Sequence, residues 1–283
     1  MGNVFQNHVV IVTGASSGIG RALALRLADQ GASLALAARS AERLAALAEE
    51  CIQRGGKAVP VPTDVSEEEQ CQELVERTVH EYGQLDMLIN NAGIGVASKL
   101  EDLPDLHLFR QVMEVNFYGM VHCTYYALPH LKTSRGRVVN VSSLGGKLAI
   151  PYNTSYIASK FAMHGFSDSL RMELAEAGVS VTVVCPYWVV TEFHERFMNK
   201  DGKPKGPEGR VIYTEKMMTA DRCAQIILRA AMKRKREVLM GLGTVGVWLK
   251  MVAPELVDKI AVESVLKAAI SRISGGQKGI KGE

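Results

Sequence analysis

Tyr156 and Lys160 stand four residues apart in the stretch SSLGGKLAIPYNTSYIASK, Ser142 to Lys160. On a helix this spacing puts a phenol and an ammonium on one face, where they can point into the same small volume. Such an arrangement could make an acid of the tyrosine. For the pair alone, a packed tyrosine and a solvated lysine are the commoner reading. The surrounding elements must decide.

The chain has 283 residues, 47% hydrophobic and 22% charged, an ordinary globular mixture long enough to bury a sizeable core. A net charge of +3 is too mild to indicate a nucleic-acid partner, and the run KRKR at 233–236 reads as a solvated helix end. Five scattered cysteines, without CxxC or a metal-like cluster, argue against a disulfide framework or a metal site and favour a reducing, cytoplasmic compartment. The apolar residues at 9–12 run straight into TGASSGIG, too short for a signal sequence, so a soluble and unprocessed chain is expected.

Short apolar runs alternate with helical patterns. Strands are expected at 8–14, 33–38, 58–65, 85–93, 136–143, 179–186 and 237–241. Helices are expected at 19–31, from Ser40 to the RGG stop, from the SEEE capping pattern at 66–69 to Gly83, and around 105–132, 155–178 and 219–233. This series predicts an α/β fold, a Rossmann-type doubly wound parallel sheet flanked by helices. Residues 1–245 read as one such domain, with a substrate loop at about 192–215, followed by a C-terminal apolar extension and tail over 246–283.

Ligands of such sheets bind beyond the carboxyl ends of the strands. After the first strand, TGASSGIG has glycines at 14, 18 and 20, which let the backbone turn tightly and approach a pyrophosphate at a helix N-terminus. NNAG, Asn90 to Gly93, follows the fourth strand; Ser142 and Ser143 follow the fifth; Asn116 lies within EVNFYG. TGxxxGIG, NNAG, the Asn, the Ser and YxxxK, in this order and at these distances, resemble the classical short-chain dehydrogenase/reductase (SDR) family over roughly residues 7–241.

The resemblance implies an oxidoreductase with a catalytic tetrad of Asn116, Ser143, Tyr156 and Lys160. Tyr156 would give a proton to a carbonyl oxygen as hydride arrives from a nicotinamide, or take one from a secondary alcohol, with Lys160 and the ring's positive charge favouring the phenolate. Ser143 would hold the reacting oxygen, and Asn116 would anchor a water that links Lys160 to solvent. Ser142 is expected to face the core or the cofactor. The nucleotide would be held by Gly14, Ser16, Ser17, Gly18, Ile19 and Gly20, by Asn91, Ala92 and Gly93, by Tyr156 and Lys160 themselves, and by Pro186, Val189 and Thr191, with Asp64 near the adenine. Where the family usually has Pro-Gly, this chain has Pro186-Tyr187, and a bulky Tyr187 is expected to narrow the substrate side.

At the end of the second strand, where an NAD enzyme commonly carries an acid, Ala38 is followed by Arg39. A guanidinium there can pair with a 2′-phosphate, helped by Ser16, Ser17 and Ser40, so NADP(H) is the expected cofactor. Tyr187, Trp188, Phe193, Phe197 and Met198 suggest an apolar, lipid-, steroid- or aromatic-like carbonyl substrate. A 3-oxoacyl thioester reductase is the alternative within enzymes, with Lys203 and Lys205 as a thin basic patch; a non-catalytic NADP-binding redox sensor is the alternative outside them. The resemblance further implies a homodimer or homotetramer through the helices around 105–132 and 155–178. The stretch 241–270 is apolar but broken by Pro254 and Asp258, too interrupted to span a bilayer, and raises the expectation of a peripheral membrane contact or burial on a core or second subunit.

Overall fold

The computed structural model describes residues 4–206, 217–241 and 243–264. Strand β1 (Val9–Thr13) is buried at every position, as an apolar, β-branched strand must be when both sheet faces are covered. Alternate residues feed opposite cores. Val10 and Val12 pack with α1 (Gly18–Ala28), α2 (Ala41–Gln53) and α7 (Ala220–Met232), through Leu23, Leu27, Leu44 and Ile227. Val9 and Ile11 pack with α3 (Glu68–Tyr82), α5 (Gly119–Thr133) and α6 (Thr154–Glu173), through Leu74, Cys123, Leu131 and Leu170. In β2 (Ser33–Ala38) the same period of two sends Leu34 and Leu36 to the first core and Ala35 and Ala37 to the second.

The strands β3 (Lys57–Pro62), β4 (Met87–Asn90), β5 (Arg137–Val141), β6 (Ser180–Cys185) and β9 (Glu237–Leu239) complete a seven-stranded sheet of order β3-β2-β1-β4-β5-β6-β9. Every pairing in it is parallel. This is the expected doubly wound architecture. The order reverses between β1 and β4, which opens a crevice at their carboxyl ends. A separate pair, β7 (Val189–Val190) and β8 (Met218–Thr219), lies outside the main sheet.

Several boundaries differ from the sequence expectation for identifiable reasons. The helix expected around 105–132 is α4 (His107–Met113), a π-helical turn at Glu114–Tyr118, and α5. The SEEE pattern does not cap α3, because the Ser66 hydroxyl donates to Asp64 at 2.7 Å and the helix starts two residues later. Ser40 does cap α2, accepting the Arg43 N–H at 3.4 Å. The KRKR run is not simply solvated: Arg234 donates to the Gly178 and Gly136 carbonyls, and Arg236 pairs with Asp168 at 3.1 Å.

At the C-terminal side, α8 (Gly243–Val252) rests on the turn after β5, where Lys250 donates to the Lys147 carbonyl at 3.2 Å. Residues 254–264 are also helical. Trp248 remains 66% exposed and Val252 81%, so these side chains of the extension are not buried on the chain's own core, while Val247 and Leu249 are half-buried. Among the described residues no helix is long and apolar enough to cross a membrane. Residues 207–216 of the expected substrate loop and 265–283 of the tail lie outside the described residues.

Candidate active site

The turn after β1 passes through Gly14 and Gly18 at φ of +65° and +53°, backbone that side-chain-bearing residues rarely adopt. A Cβ on Gly14 would lie 2.9 Å from Ala92 Cα, and one on Gly20 would lie 2.3 Å from the Gly14 carbonyl oxygen. Only glycine permits this approach of α1 to the turn. Ser17, at the cap position of α1, makes no side-chain cap bond, so the first N–H groups, including those of Gly18 and Ile19, have no hydroxyl partner there. A turn that lacks Cβ atoms at Gly14, Gly18 and Gly20, at a helix N-terminus without a side-chain cap, fits a dinucleotide pyrophosphate.

β4 ends beside this cradle. Thr13 Oγ1 accepts the N–H groups of Asn91 at 2.9 Å and Ala92 at 3.1 Å, and Asn91 Nδ2 donates back to the Thr13 carbonyl at 2.9 Å. Asn91 and Ala92 therefore hold the glycine turn in place, while a Cβ on Gly93 would lie 3.2 Å from Asn116 Oδ1. Arg39 is largely exposed beyond β2, with its guanidinium 4.0 Å from the Asp64 carboxylate. Ser16 is half-buried on the rim of the same turn.

The four residues of the expected tetrad converge. Asn116 sits in the π-helical turn and is buried; its Nδ2 donates to Ser159 Oγ at 2.9 Å and the Ile94 carbonyl at 3.0 Å, while its Oδ1 accepts the Ile94 N–H at 2.8 Å. Beside it lies a cavity of ≈ 10 Å³ lined by Thr13, Asn90, Asn116 and Met163, about the size that holds one water. Asn90 Oδ1 is buried and has no protein partner.

Lys160 is buried, donates to the Val141 carbonyl at 3.1 Å, and lies 5.6 Å from the centre of the Tyr156 ring. Burial lowers its ammonium to about 8. Tyr156 keeps some solvent contact but lies deep under the loop, and burial pushes its phenol up to about 12 against a hydrogen bond with Ser143 that pulls it down. Desolvation by the protein thus outweighs the Ser143 bond, and the lowering by Lys160 that the spacing suggests does not enter the balance. Ser143 Oγ accepts the Gly145 N–H at 3.0 Å, and the buried Ser142 instead reaches the Lys160 carbonyl at 3.5 Å.

The segment after β7 forms the roof. Phe193 and Phe197 stand 6.0 and 5.6 Å from the Tyr156 ring, and His194 stacks on Phe197 and lies against Trp188. Burial among these rings lowers the His194 imidazole. Backbone bonds between Met198 and both Gly95 and Ala97, each 2.9 Å, pin the described part of this loop. Thr191 packs its methyl where a Gly18 Cβ would be and accepts the Phe193 N–H at 3.3 Å; Val189 is buried in β7; the Pro186 carbonyl accepts the Leu144 N–H at 2.9 Å. Tyr187 lies against Gly241 and Trp188, so the rings that border Tyr156 are those of Phe193 and Phe197.

Sequence reasoning missed Gly95, whose absent Cβ makes room for the Phe197 ring 2.3 Å away, although the Ile-Gly directly after NNAG was a visible signal. It also missed Arg196, which donates to Ser17 Oγ at 2.9 Å and pairs with Glu192, itself 3.6 Å from Arg43. Nothing local in the sequence marks that contact. His164, Cys185 and Glu237 also gather below the site. Cys185 and Glu237 meet opposite nitrogens of the His164 ring, and Lys147 holds the same Glu237 oxygen, an arrangement of hydrogen bonds rather than of ligands around one ion.

The short chain dehydrogenase family model matches residues 8–202, which include the glycine turn, NNAG and YxxxK. The chain belongs to the short-chain dehydrogenase/reductase family. It is an SDR oxidoreductase on a nucleotide-binding fold. An 11-beta-hydroxysteroid dehydrogenase from Pinus massoniana is 36% identical over 242 residues, covering 84% of this chain and 68% of the relative. A dehydrogenase/reductase SDR family protein 7-like from Dictyostelium discoideum is 33% identical over 93% of this chain and 84% of its own length. Among solved structures, an alcohol dehydrogenase from Thermococcus sibiricus complexed with 5-hydroxy-NADP superposes with a TM-score of 0.71 at 29% identity, covering 83% of this SDR and 96% of that chain. An SDR from Burkholderia phymatum in complex with NAD gives 0.78 at 26% identity, covering 89% and 95%.

Proposed function

We propose that this SDR reduces a carbonyl, or oxidises the corresponding secondary alcohol, of an apolar substrate with NADP(H). The observation that carries the reading is the Tyr156 phenol, paired with Ser143 and roofed by Phe193 and Phe197. A bound nicotinamide supplies the hydride and, when oxidised, a positive ring charge. Tyr156 donates the proton to the substrate oxygen, which Ser143 Oγ helps to hold. Lys160 stands beside the phenol, and a water in the cavity at Asn116 lets protons be replenished from solvent. The aromatic roof excludes water and favours a lipid-, steroid- or aromatic-like carbonyl, a substrate class supported by the relatives named 11-beta-hydroxysteroid dehydrogenase.

The cofactor preference rests on Arg39. No carboxylate stands at the end of β2, and the exposed guanidinium is available to a 2′-phosphate, with Ser16, Ser17 and Ser40 nearby in sequence. Asp64, 4.0 Å away, orients Arg39 rather than taking a ribose hydroxyl. The test is kcat/KM with NADPH and NADH across steroid, long-chain and aromatic ketones and 3-oxoacyl thioesters, for the native chain, Arg39→Ala and Ala38→Asp. A preference for NADPH that both substitutions abolish, with an apolar ketone as best substrate, is expected. Equal use of the two cofactors overturns the NADP assignment, thioesters as the best substrates favour the carrier-linked reductase, and no turnover on any member favours the sensor.

A second reading concerns location. The outward Val245, Trp248, Met251 and Val252 of α8 favour a peripheral membrane contact near the substrate side, in a cytoplasmic enzyme whose five cysteines are free and buried. Exposed Tyr125 on α5 and Phe161 and Met172 on α6 favour a homo-oligomer through those helices. Co-sedimentation with liposomes, comparing the full chain with one ending at Gly243, separates the two surfaces; equal binding removes the membrane contact.

A further inference from the structure

Tyr156, Lys160 and His164 recur every four residues along α6, so His164 continues the catalytic stripe one turn deeper. It is 7% exposed. Its Nδ1 lies 3.3 Å from Glu237 Oε1, at the start of β9, and its Nε2 lies 3.6 Å from Cys185 Sγ, at the end of β6. The same Glu237 oxygen receives Lys147 Nζ at 2.7 Å. Lys147 directly follows the short helical turn Leu144–Gly146 that Ser143 caps. The imidazole also packs on that turn, since a Cβ on Gly146 would lie 2.7 Å from its ring atoms.

Three segments of the site therefore meet at one carboxylate and one imidazole. The Ser143 turn is tied in through Lys147, the helix of Tyr156 and Lys160 through His164, and the strand leading to Pro186 through Cys185. Pro186 closes the circuit, because its carbonyl accepts the Leu144 N–H at 2.9 Å. A surface ion pair would contribute little to geometry. Here the carboxylate is about two-thirds buried and holds two partners from different elements, which restricts where the turn can sit against the helix.

We propose that Glu237, with Lys147 and His164, is a positioning group that sets the Ser143 hydroxyl against the Tyr156 phenol. This rests on the proposed roles of Ser143 and Tyr156. Without the clamp the turn keeps its backbone bonds but loses its charge-assisted tie to α6, so Ser143 visits the productive geometry less often. A misplacement on the order of 1 Å can cost about 100-fold in rate. Substrate and cofactor binding, made by the roof and the glycine turn, should change little.

The test uses the full chain with NADP(H) and the best ketone and alcohol of the panel. Ser143→Ala comes first: if it leaves kcat unchanged, the catalytic reading fails and not the clamp. If Ser143→Ala is slow, Glu237→Gln is expected to lower kcat about 10- to 100-fold, with KM and the NADPH Kd within about twofold. The pH profile of alcohol oxidation adds a readout that loss of packing alone would not move. Tyr156 faces Ser143 from the turn, Lys160 from its own helix, Cys185 from β6, and Phe193 and Phe197 from the roof. Ser143 pulls its phenol down, so a displaced Ser143 shifts the rising limb to higher pH in Glu237→Gln, as in Ser143→Ala. The double variant should be no slower than Ser143→Ala, because both remove one arrangement. Should Glu237→Gln not fold, Lys147→Met serves, leaving the buried His164–Glu237 contact in place, with Lys147→Arg recovering most of its loss. A folded variant with native kcat and an unmoved limb, or rate losses that multiply in the double variant, overturns the proposal.

Discussion

The Arg196 guanidinium donates to the Ser17 hydroxyl oxygen at 2.9 Å, joining the substrate-side roof to the glycine turn that begins the nucleotide cradle. Both side chains are accessible, and Arg196 also pairs with Glu192. A hydrogen bond of this kind contributes about 0.5–1.5 kcal/mol. Arg196→Ala is expected to raise the NADPH Kd about 2- to 10-fold, read by cofactor fluorescence. An unchanged Kd would show that the contact plays no part in holding the nucleotide cradle.

Replacing Tyr156 by Phe keeps the ring that Phe193 and Phe197 pack against and removes the transferable proton. Turnover should fall by about 10²–10⁴-fold or more, while circular dichroism and cofactor binding stay near native. A folded Tyr156→Phe chain with near-native turnover would show that another group transfers the proton.

Gly95 gives the Phe197 ring its place, with ring atoms only 2.3 Å from where a Cβ would stand. Gly95→Ala must displace that ring, and overpacking of this kind costs about 1–3 kcal/mol. The expected result is a rise of about tenfold in KM for the apolar substrate, with little change in the cofactor Kd. An unchanged KM would remove Phe197 from the substrate wall.

Lys160 carries the reverse of a stabilising shift. Its folded pKa, about 8, lies below the ordinary 10.5, so between those values the unfolded chain binds more protons and stability rises with pH. The burial penalty is fully present below pH 8 and gone above 10.5. Lys160→Met should therefore melt at higher temperature than the native chain at neutral pH, and calorimetry should show the gap narrowing from pH 8 to 10.5. A gap that does not change with pH would mean that the lysine titrates normally in the folded chain.

Much of this enzyme is legible from local pattern. Continuous apolar runs in β1 and β2, glycines at the positive-φ positions Gly14 and Gly18, and polar residues at strand ends are consequences of backbone geometry and burial that show within a few residues of sequence. They were enough to identify the parallel sheet and the glycine turn at Gly14 on its carboxyl edge, while the resemblance to the SDR family pointed to Asn116, Ser143, Tyr156 and Lys160. Where the local pattern misled, a competing hydrogen bond had won, as when Asp64 took the Ser66 hydroxyl from the cap of α3.

Contacts between residues far apart in the chain belong to the tertiary structure alone. Arg196 meets Ser17 across 179 positions, and Glu237 meets His164 and Lys147 only because β9 is laid beside β6. Neither pairing leaves a periodic trace. The ionisation of the site is decided the same way: spacing put an ammonium beside a phenol, but the depth of the fold pushes Tyr156 up to about 12 and Lys160 down to about 8, since desolvation depends on everything packed around a charge. Four residues of sequence set which groups meet. Their acidity was left to the whole molecule, because the dielectric around a buried group is a property of the fold.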